Sequence, residues 1–590
     1  MFLVLIETSG NQNFIFATNK LKENIGASEL TYRVGTQWLL EIIGDIVKNP
    51  NLKLWQDSDL LRQNLLNSNH NPPIEDDKQS IEIIIAVSGK ALLITKDKDI
   101  AQDIIAKLTT KCLKEAPGIT VTGVYKKFDW DQPIENKIKK VYRKIEIAQS
   151  NLLSSEFRFL KLPILSHCDT SGLPASSMEI SPENGKIPIS AISFAKRKSA
   201  DDSLKRMDEL VQKNSLKFPD NTNDLEKIFE ENLQWLGIVH ADGNGLGQIF
   251  LEFEKFIDNN LKTCPEKNRD YVNKLRKFSL ALDLCTQNAF KEAIKVFKED
   301  GKTSIKKNKA NQILPIIPLV LGGDDLTVVC DGKKALEFTE KFLLAFEEET
   351  ARNDLQDVGN IINEVSQKAL KSNGLSACAG IAIVKPHFPF SVGYELAESL
   401  LKSAKTVKNN VQDKGNNTVS CSALDFHIVY DSSGVDLELI RERLELKENK
   451  NIHTKLYKRP FVITPLNKLS QANDNSKKWA DFYDWNKFKN KVELLTKNKK
   501  NSQSENDEKN YLPPNQSNKL RSALFRGKES GDAQFQLIYK RYENITIELA
   551  ESDKSLFQIT PINPKENEKH ENKTFYTTSF LDALDAVDFL

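Results

Sequence analysis

The chain has 590 residues, enough for about four units of ordinary domain size, and carries 83 Lys and Arg against 82 Asp and Glu, a net charge of +1. That balance excludes a protein whose whole surface is built to hold nucleic acid and leaves only a local basic groove, while 39% hydrophobic and 8% aromatic residues exclude a chain without cores. The central apolar run 313–321 is too short to span a bilayer and contains Pro315 and Pro318, so no membrane segment is expected, and seven scattered Cys point to reduced thiols and a cytoplasmic setting.

Residues 2–6 are an apolar run with no basic flank before it and Glu7 after it, which reads as a buried strand and not a signal peptide. The tight loop Ser9-Gly10-Asn11 follows, with helical sequence from Asn13. Runs 81–87 and 91–95 flank Ser88-Gly89-Lys90 as a hairpin, and a helix over 98–115 and a strand over 119–125 complete a first unit. Residues 129–232 are mostly helical in pattern, with a Pro, Gly and Ser interruption around 163–190, and bridge to a second unit.

That second unit repeats the order. A strand over 236–241 meets Asp242-Gly243-Asn244-Gly245 and helical sequence from Leu246. The lysine-rich stretch 302–309 reads as a solvated loop, with RNA or partner contact as the sharper alternative. Runs 313–321 and 326–330 then form a hairpin around Gly322-Gly323-Asp324-Asp325, followed by a helix over 333–349 and a strand over 376–384. Gly10 and Gly89 are 79 positions apart, Gly243 and Gly323 are 80 apart, so spacing repeats as well as order. Matching Asp242 with Ser9 and Gly323 with Gly89 sets Asp324 and Asp325 against Lys90 and Ala91, so only the second copy carries carboxylates.

Both copies fit an α+β, ferredoxin-like arrangement, an antiparallel sheet with helices on one face. Past 426 the chain is more polar: 479–495 is an aromatic and basic amphipathic stretch, 498–518 a low-complexity linker, and 580–584 begins a short amphipathic tail. The expected organisation is therefore 1–128, a catalytically blank palm; 129–232, a mostly helical connection; 233–425, a second palm; and 426–590, a mainly helical C-terminal domain.

If Asp242 ends a central strand and Asp324 and Asp325 sit on the neighbouring hairpin, carboxylates distant in sequence converge at one sheet edge. Such hard oxygen ligands suit Mg²⁺ or Mn²⁺ bridging the phosphates of a nucleoside triphosphate, with two ions about 3.5–4 Å apart in an in-line displacement. Gly243, Asn244, Gly322 and Gly323 would let the backbone approach the triphosphate. The competing reading makes Gly-Gly-Asp-Asp a type I′ turn and no more. The joint pattern of strand, Asp-Gly-Asn loop, acidic hairpin tip, helix and strand favours the metal–nucleotide site.

At these residues the chain resembles the large polymerase-like subunit of type III CRISPR effector complexes and, more distantly, the GGDEF nucleotidyl cyclases. The resemblance rests on Thr8-Ser9-Gly10-Asn11-Gln12-Asn13-Phe14-Ile15-Phe16, Gly26-Ala27-Ser28, Ala241-Asp242-Gly243-Asn244-Gly245-Leu246-Gly247, Leu321-Gly322-Gly323-Asp324-Asp325, Ser376-Ala377-Cys378-Ala379-Gly380-Ile381 and Ala397-Glu398-Ser399-Leu400-Leu401-Lys402-Ser403-Ala404-Lys405. It implies two facing palms with nucleotide between them, ATP as substrate, and cyclic or short linear oligoadenylate as a second messenger read by a downstream effector. RNA and sibling CRISPR subunits are the partners it implies. Carried over by position, Asp242 and Asp324 are metal ligands, with Asp325 assisting the metals or positioning the attacking hydroxyl. Lys405 neutralises the triphosphate, against a plain solvated lysine on a helix. Ser28 and Ser279 read the adenine edge, against simple capping.

Two departures stand out. No histidine is followed by Asp, so the HD nuclease domain common in the family is not expected, and Cys168 with His167 falls short of a four-ligand zinc site. The sequence leaves an ATP-condensing nucleotidyltransferase against a non-catalytic scaffold that binds RNA and partner subunits. A template-dependent polymerase lacks any fingers or thumb signature.

Overall fold

The computed structural model describes residues 1–53, 57–76, 79–153, 155–181, 185–211, 216–218, 233–257, 261–297, 307–308, 311–430, 436–449, 451–496, 512–561 and 574–590. Apart from 307–308, the lysine-rich stretch lies outside them, as does the expected linker up to 511. The rest of that linker is drawn into a helix, Pro514–Leu524. No helix among the described residues is long and apolar enough to cross a membrane.

The first palm begins with β1 (Phe2–Ser9) and continues through α1 (Asn11–Phe16), α2 (Leu21–Arg33), α3 (Leu39–Val47) and α4 (Ser58–Leu66). The hairpin β2 (Ile81–Val87) and β3 (Lys90–Thr95), then α5 (Lys98–Glu115) and β4 (Thr120–Lys127), complete it. Its sheet order is β2-β3-β1-β4, with β1 antiparallel to both neighbours. Because strand side chains alternate, Val4 and Ile6 bury against α2, α3 and α5, while Leu3 and Leu5 bury on the other face. That second face is covered by α6 (Ile134–Ser150), through Ile134, Ile138, Val141 and Ile145. The connecting region then supplies a hairpin, β5 (Ala175–Ser181) with β6 (Gly185–Ser190), and the long α7 (Ala191–Val211). Gly26 is where α7 crosses α2: a Cβ there would lie 1.7 Å from the Lys196 carbonyl oxygen.

The second palm runs β7 (Leu236–Gly243), α8 (Leu246–Leu251), α9 (Cys264–Ala293), β8 (Ile316–Gly322), β9 (Asp325–Asp331), α10 (Ala335–Thr350), α11 (Ile361–Leu370), β10 (Ala377–Val384) and α12 (Phe390–Lys405). Two further strands, β11 (Ala423–Ile428) and β12 (Phe461–Val462), extend its sheet to the order β8-β9-β7-β10-β11-β12. The sheet thus continues past residue 425. Helices α9 and α10 pack on the face that carries Val239, Ala241, Leu326 and Val328. Helices were expected on one face only, but α12, which joins the parallel pair β10 and β11, covers the other. The C-terminal region wraps helices around a small sheet of Glu445–Lys447, Ile452–Lys455, Thr574–Thr577 and Gln558–Ile559. The expected tail is the helix Phe580–Ala586, and Trp479 and Trp485 of the aromatic stretch are buried.

The two palms superimpose in register, but not at the glycines the sequence suggests. Glu7 faces Lys90 across β1 and β3, as Asp242 faces Asp325 one position beyond the Ala241–Leu326 pair. Gly10 and Gly245, both left-handed (φ 68° and 76°), precede the six-residue helices α1 and α8. Both hairpins carry a bulge in the first strand, between Ile83 and Ile85 and between Pro318 and Val320. All these equivalences share one offset, 235 positions. The counterpart of Asp242 is therefore Glu7, not Ser9, and Asp324 and Asp325 correspond to Gly89 and Lys90.

The palms meet through an apolar layer in which Ile15, Phe16, Ile25, Ala27, Ala200 and Leu204 pack on Ile238, Leu319, Val329, Tyr394 and Leu400. Phe16 stacks on Tyr394 with ring centroids 3.7 Å apart. Helix α12 is held close to β10 by Gly380, whose Cβ would come within 2.1 Å of the Ala397 carbonyl oxygen. Gly380→Ala is expected to destabilise the second palm by about 1–3 kcal/mol through overpacking against backbone, seen as a lower thermal midpoint.

Candidate metal centre between the palms

Strand pairing brings the three carboxylates together. Asp242 is the last but one residue of β7, Asp325 opens β9 beside it, and Asp324 occupies the two-residue turn Gly323-Asp324. One carboxylate oxygen from each lies within 4.8 Å of the others, and among the described residues this is the only such cluster of three or more metal-ligating side chains. Gly323 has φ 61°, whereas Asp324 does not adopt a positive φ, so the turn is not of type I′, which needs positive φ at both positions.

A steric exchange decides which palm can hold the middle carboxylate. In the second palm, a Cβ on Gly243 would lie 2.9 Å from the Asp324 Cβ and 3.1 Å from its Oδ2. In the first palm the equivalent pair is reversed: Thr8 has the side chain, and a Cβ on Gly89 would lie 2.3 Å from the Thr8 hydroxyl oxygen. A side chain at Gly243 would also meet Leu246 Cδ1 at 2.4 Å, so the absent Cβ leaves room for both Leu246 and Asp324.

Electrostatics follow from this crowding. Burial pushes the Asp324 carboxyl up to about 7, and the Asp325 charge adds to it; burial raises Asp325 as well, with His240 acting against it. Asp242 is compensated by an ion pair with Lys405 at the end of α12. Burial, then the neighbouring Lys408, lowers the pKa of that lysine. His240 lies on the same face of β7, its Nδ1 3.0 Å from the Thr327 hydroxyl, and burial lowers its pKa, favouring the neutral ring. In the first palm the matching positions form an ion pair, Lys90 to Glu7 at 2.7 Å, with the ammonium 4.5 Å from the centre of the Tyr142 ring.

Beside the carboxylates a cavity of about 160 Å³ opens between the palms. Ser28, Tyr32 and Arg206 line it from one side, and Gly322, Asp325 and Tyr394 from the other. Arg206 stacks over the Tyr32 ring at 3.8 Å and donates through Nε to Glu29. Ser279 is buried on α9 and does not line this cavity. Asn244 is committed to the scaffold: its Nδ2 donates to the Ser376 hydroxyl and the Cys421 carbonyl, both at 3.0 Å. Cys168 is buried near Thr170 and Ser193 rather than within a ligand cluster.

Sequence reasoning missed Arg206 and Tyr394, which reach the cavity from helices distant in the chain. It also missed Asp283, whose Oδ1 accepts from the Gly323 amide at 3.1 Å. A basic residue on the polar side of α7 carries no signal of its own until α7 is placed over α2.

Residues 235–413 match the family model described as Cas10/Cmr2, second palm domain. Among solved structures, the chain is similar to a Csm1–Csm4 cassette in complex with AMPPNP (12% identity, TM-score 0.45, 100% of this chain and 69% of that one). It is also similar to a Csm1–Csm4 cassette in complex with cA4 (12%, 0.44, 99% and 70%) and to a type III-B Cmr-beta structure in the apo state (10%, 0.39, 72% and 69%). No curated protein matches the chain.

Two outcomes follow from the geometry. An acid raised in the folded state costs stability as pH climbs from its unfolded value, near 4, through its folded value, here about 7. Asp324→Asn should therefore stabilise the metal-free protein by up to about 4 kcal/mol at pH 8, the gain shrinking below pH 7 and vanishing at pH 4 in thermal melts. Gly243→Ala should displace Asp324 and weaken Mn²⁺ binding in calorimetric titrations by at least about tenfold.

Proposed function

We propose that this Cas10-like chain is a metal-dependent nucleotidyltransferase that condenses ATP into cyclic or short linear oligoadenylate, acting as a subunit of a type III CRISPR complex. The observation that carries the proposal is the meeting of Asp242, Asp324 and Asp325 within 4.8 Å, with Asp325 also lining a cavity shared by both palms.

The donor set fits a hard divalent cation. It consists of carboxylate oxygens with neither thiol nor imidazole among them, which suits Mg²⁺ or Mn²⁺. Asp242 and Asp324 are the proposed principal ligands, with Asp325 alongside. When bound, such ions polarise a phosphoryl oxygen, favour the attacking hydroxylate and offset charge on the departing pyrophosphate.

The chain's own groups do the rest. At about 160 Å³ the cavity is smaller than the 300–1,000 Å³ that encloses a whole drug-sized ligand, so it suits one part of a nucleotide. Ser28 offers a hydroxyl that both donates and accepts, and the Tyr32–Arg206 stack offers a flat cationic surface. Gly322 and Gly323 leave the backbone just before Asp324 free of side chains on the approach to the phosphates. Lys405 holds Asp242 while cations are absent, and its flexible stem lets it turn to the triphosphate once they take over the carboxylate.

Assembly with other subunits has its own support. Leu153, Phe157, Leu160, Ile164 and Ile180 of the connecting region are all exposed, with Phe157 at 77% and Ile164 at 88%. Exposed large apolar side chains of this kind are a feature of protein contact surfaces when they form one patch.

Incubation of the full chain with labelled ATP and Mn²⁺, with and without candidate RNA, tests the activity. Metal-dependent pyrophosphate release is expected, and the Asp324→Ala, Asp325→Ala double variant should lose it by at least about 100-fold. Equal product from wild type and double variant would defeat the site assignment.

A further inference from the structure

The turn that carries Asp324 is fastened from beneath. Gly323 donates its amide to Asp283 Oδ1 at 3.1 Å and accepts at its carbonyl from the Thr286 hydroxyl at 2.5 Å. Asp283 and Thr286 lie three positions apart, so they occupy neighbouring places on one face of α9. Both backbone polar groups of the turn glycine are thus fixed by a single helical turn.

The fastening continues into the other palm. Gln287 Nε2 donates to Asp283 Oδ2 at 2.7 Å, and Gln287 Oε1 accepts from the Ser58 hydroxyl at 3.2 Å, Ser58 being the first residue of α4. A carboxylate only accepts, so the amide of Gln287 must turn its NH₂ toward Asp283 and its oxygen toward Ser58. Further along the same helix, Arg276 donates through Nε to the Ile83 carbonyl of β2 at 2.8 Å, and Arg269 and Arg276 both pair with the buried Glu82. Helix α9 therefore belongs to the second palm by sequence and is bonded along its length to the first.

A glycine turn bearing repelling carboxylates needs such a restraint. Glycine adds conformational freedom where the ligands sit, and two unit charges at this separation push apart by about 3 kcal/mol at an effective dielectric of about 20. We infer that Asp283 and Thr286 are positioning residues for the metal turn, and that the blank palm helps fix the carboxylates of the other through Ser58 and Gln287. The inference rests on the metal-site reading above.

The test is Mn²⁺ titration of the full chain without nucleotide, followed by the electron paramagnetic resonance signal of free ion. Wild type is compared with Asp283→Ala, Asp283→Asn, Thr286→Val and Ser58→Ala, with Asp324→Asn as the reference for the site itself. Asp324→Asn should abolish tight binding. Asp283→Ala should weaken it about tenfold, in line with loss of an outer-shell partner. Asp283→Asn should restore wild-type affinity, because its oxygen still accepts the Gly323 amide and Gln287 can turn its oxygen to the new NH₂ and its own NH₂ to the Ser58 hydroxyl, a rescue that mere loss of stability would not produce. Ser58→Ala should cost less and add nothing on top of Asp283→Ala, since the relay is already cut.

Unchanged Mn²⁺ affinity in a folded Asp283→Ala variant, with binding lost in Asp324→Asn, overturns the positioning role alone. Mn²⁺ binding that is absent in wild type, or intact in Asp324→Asn, removes the metal site and this inference with it. Should Asp283→Ala not fold, wild-type affinity in both Thr286→Val and Ser58→Ala overturns the inference.

Discussion

Three negative charges drawn into one small space are the constraint from which the rest of the second palm follows. Within 4.8 Å of one another, the oxygens of Asp242, Asp324 and Asp325 repel, although Asp325 remains exposed to water that partly screens it. Nothing in local propensity favours this arrangement, so it persists only because the backbone over-determines it. Strand pairing sets Asp325 beside Asp242, the absent side chain of Gly243 leaves room for Asp324, and Lys405 offsets part of the charge. Holding the carboxylates together is a stability cost that a bound cation would offset.

The first palm shows the same backbone after that cost has been removed. At the place of Asp325 stands Lys90, paired with Glu7 at the place of Asp242, and Gly89 replaces Asp324. A positive charge is built into the ladder itself and cannot be exchanged for a metal ion. In the second palm the compensating lysine comes instead from the last turn of α12, on a stem free to swing. One palm has its cation fixed covalently, while the other keeps it displaceable, and this separates a structural domain from a candidate catalytic one.

Much of this was legible in the sequence because strand periodicity and acidic turns leave local marks. Helix α5 falls at the expected residues, and both hairpins fall within a few positions. The register between the copies was not legible. Glycines at 10, 89, 243 and 323 look equivalent by spacing, yet Gly89 and Gly243 are empty for the same steric reason on opposite sides of their pairs. A glycine reports that a side chain is excluded without saying by what. The cavity was hidden for a related reason, since Arg206 and Tyr394 become neighbours of Ser28 only once α2, α7 and α12 are packed. Long-range packing of this kind has no signature in a single chain.

Helix α12 ties these observations together. It crosses the face of the sheet that carries His240 and Asp242, pressed onto β10 at Gly380, where a single methyl group would meet its backbone. From that one rigid element Tyr394 lines the cavity and stacks on Phe16 of the first palm, and Lys405, three turns on, reaches Asp242. The cavity wall, the palm–palm contact and the backbone that carries the balancing lysine therefore belong to one helix. Together with α9, which binds the turn of Asp324 from the opposite face of the sheet, this gives the carboxylates two supports, one on each side. Both supports lead back to the palm whose own matching site is closed by the Glu7–Lys90 ion pair.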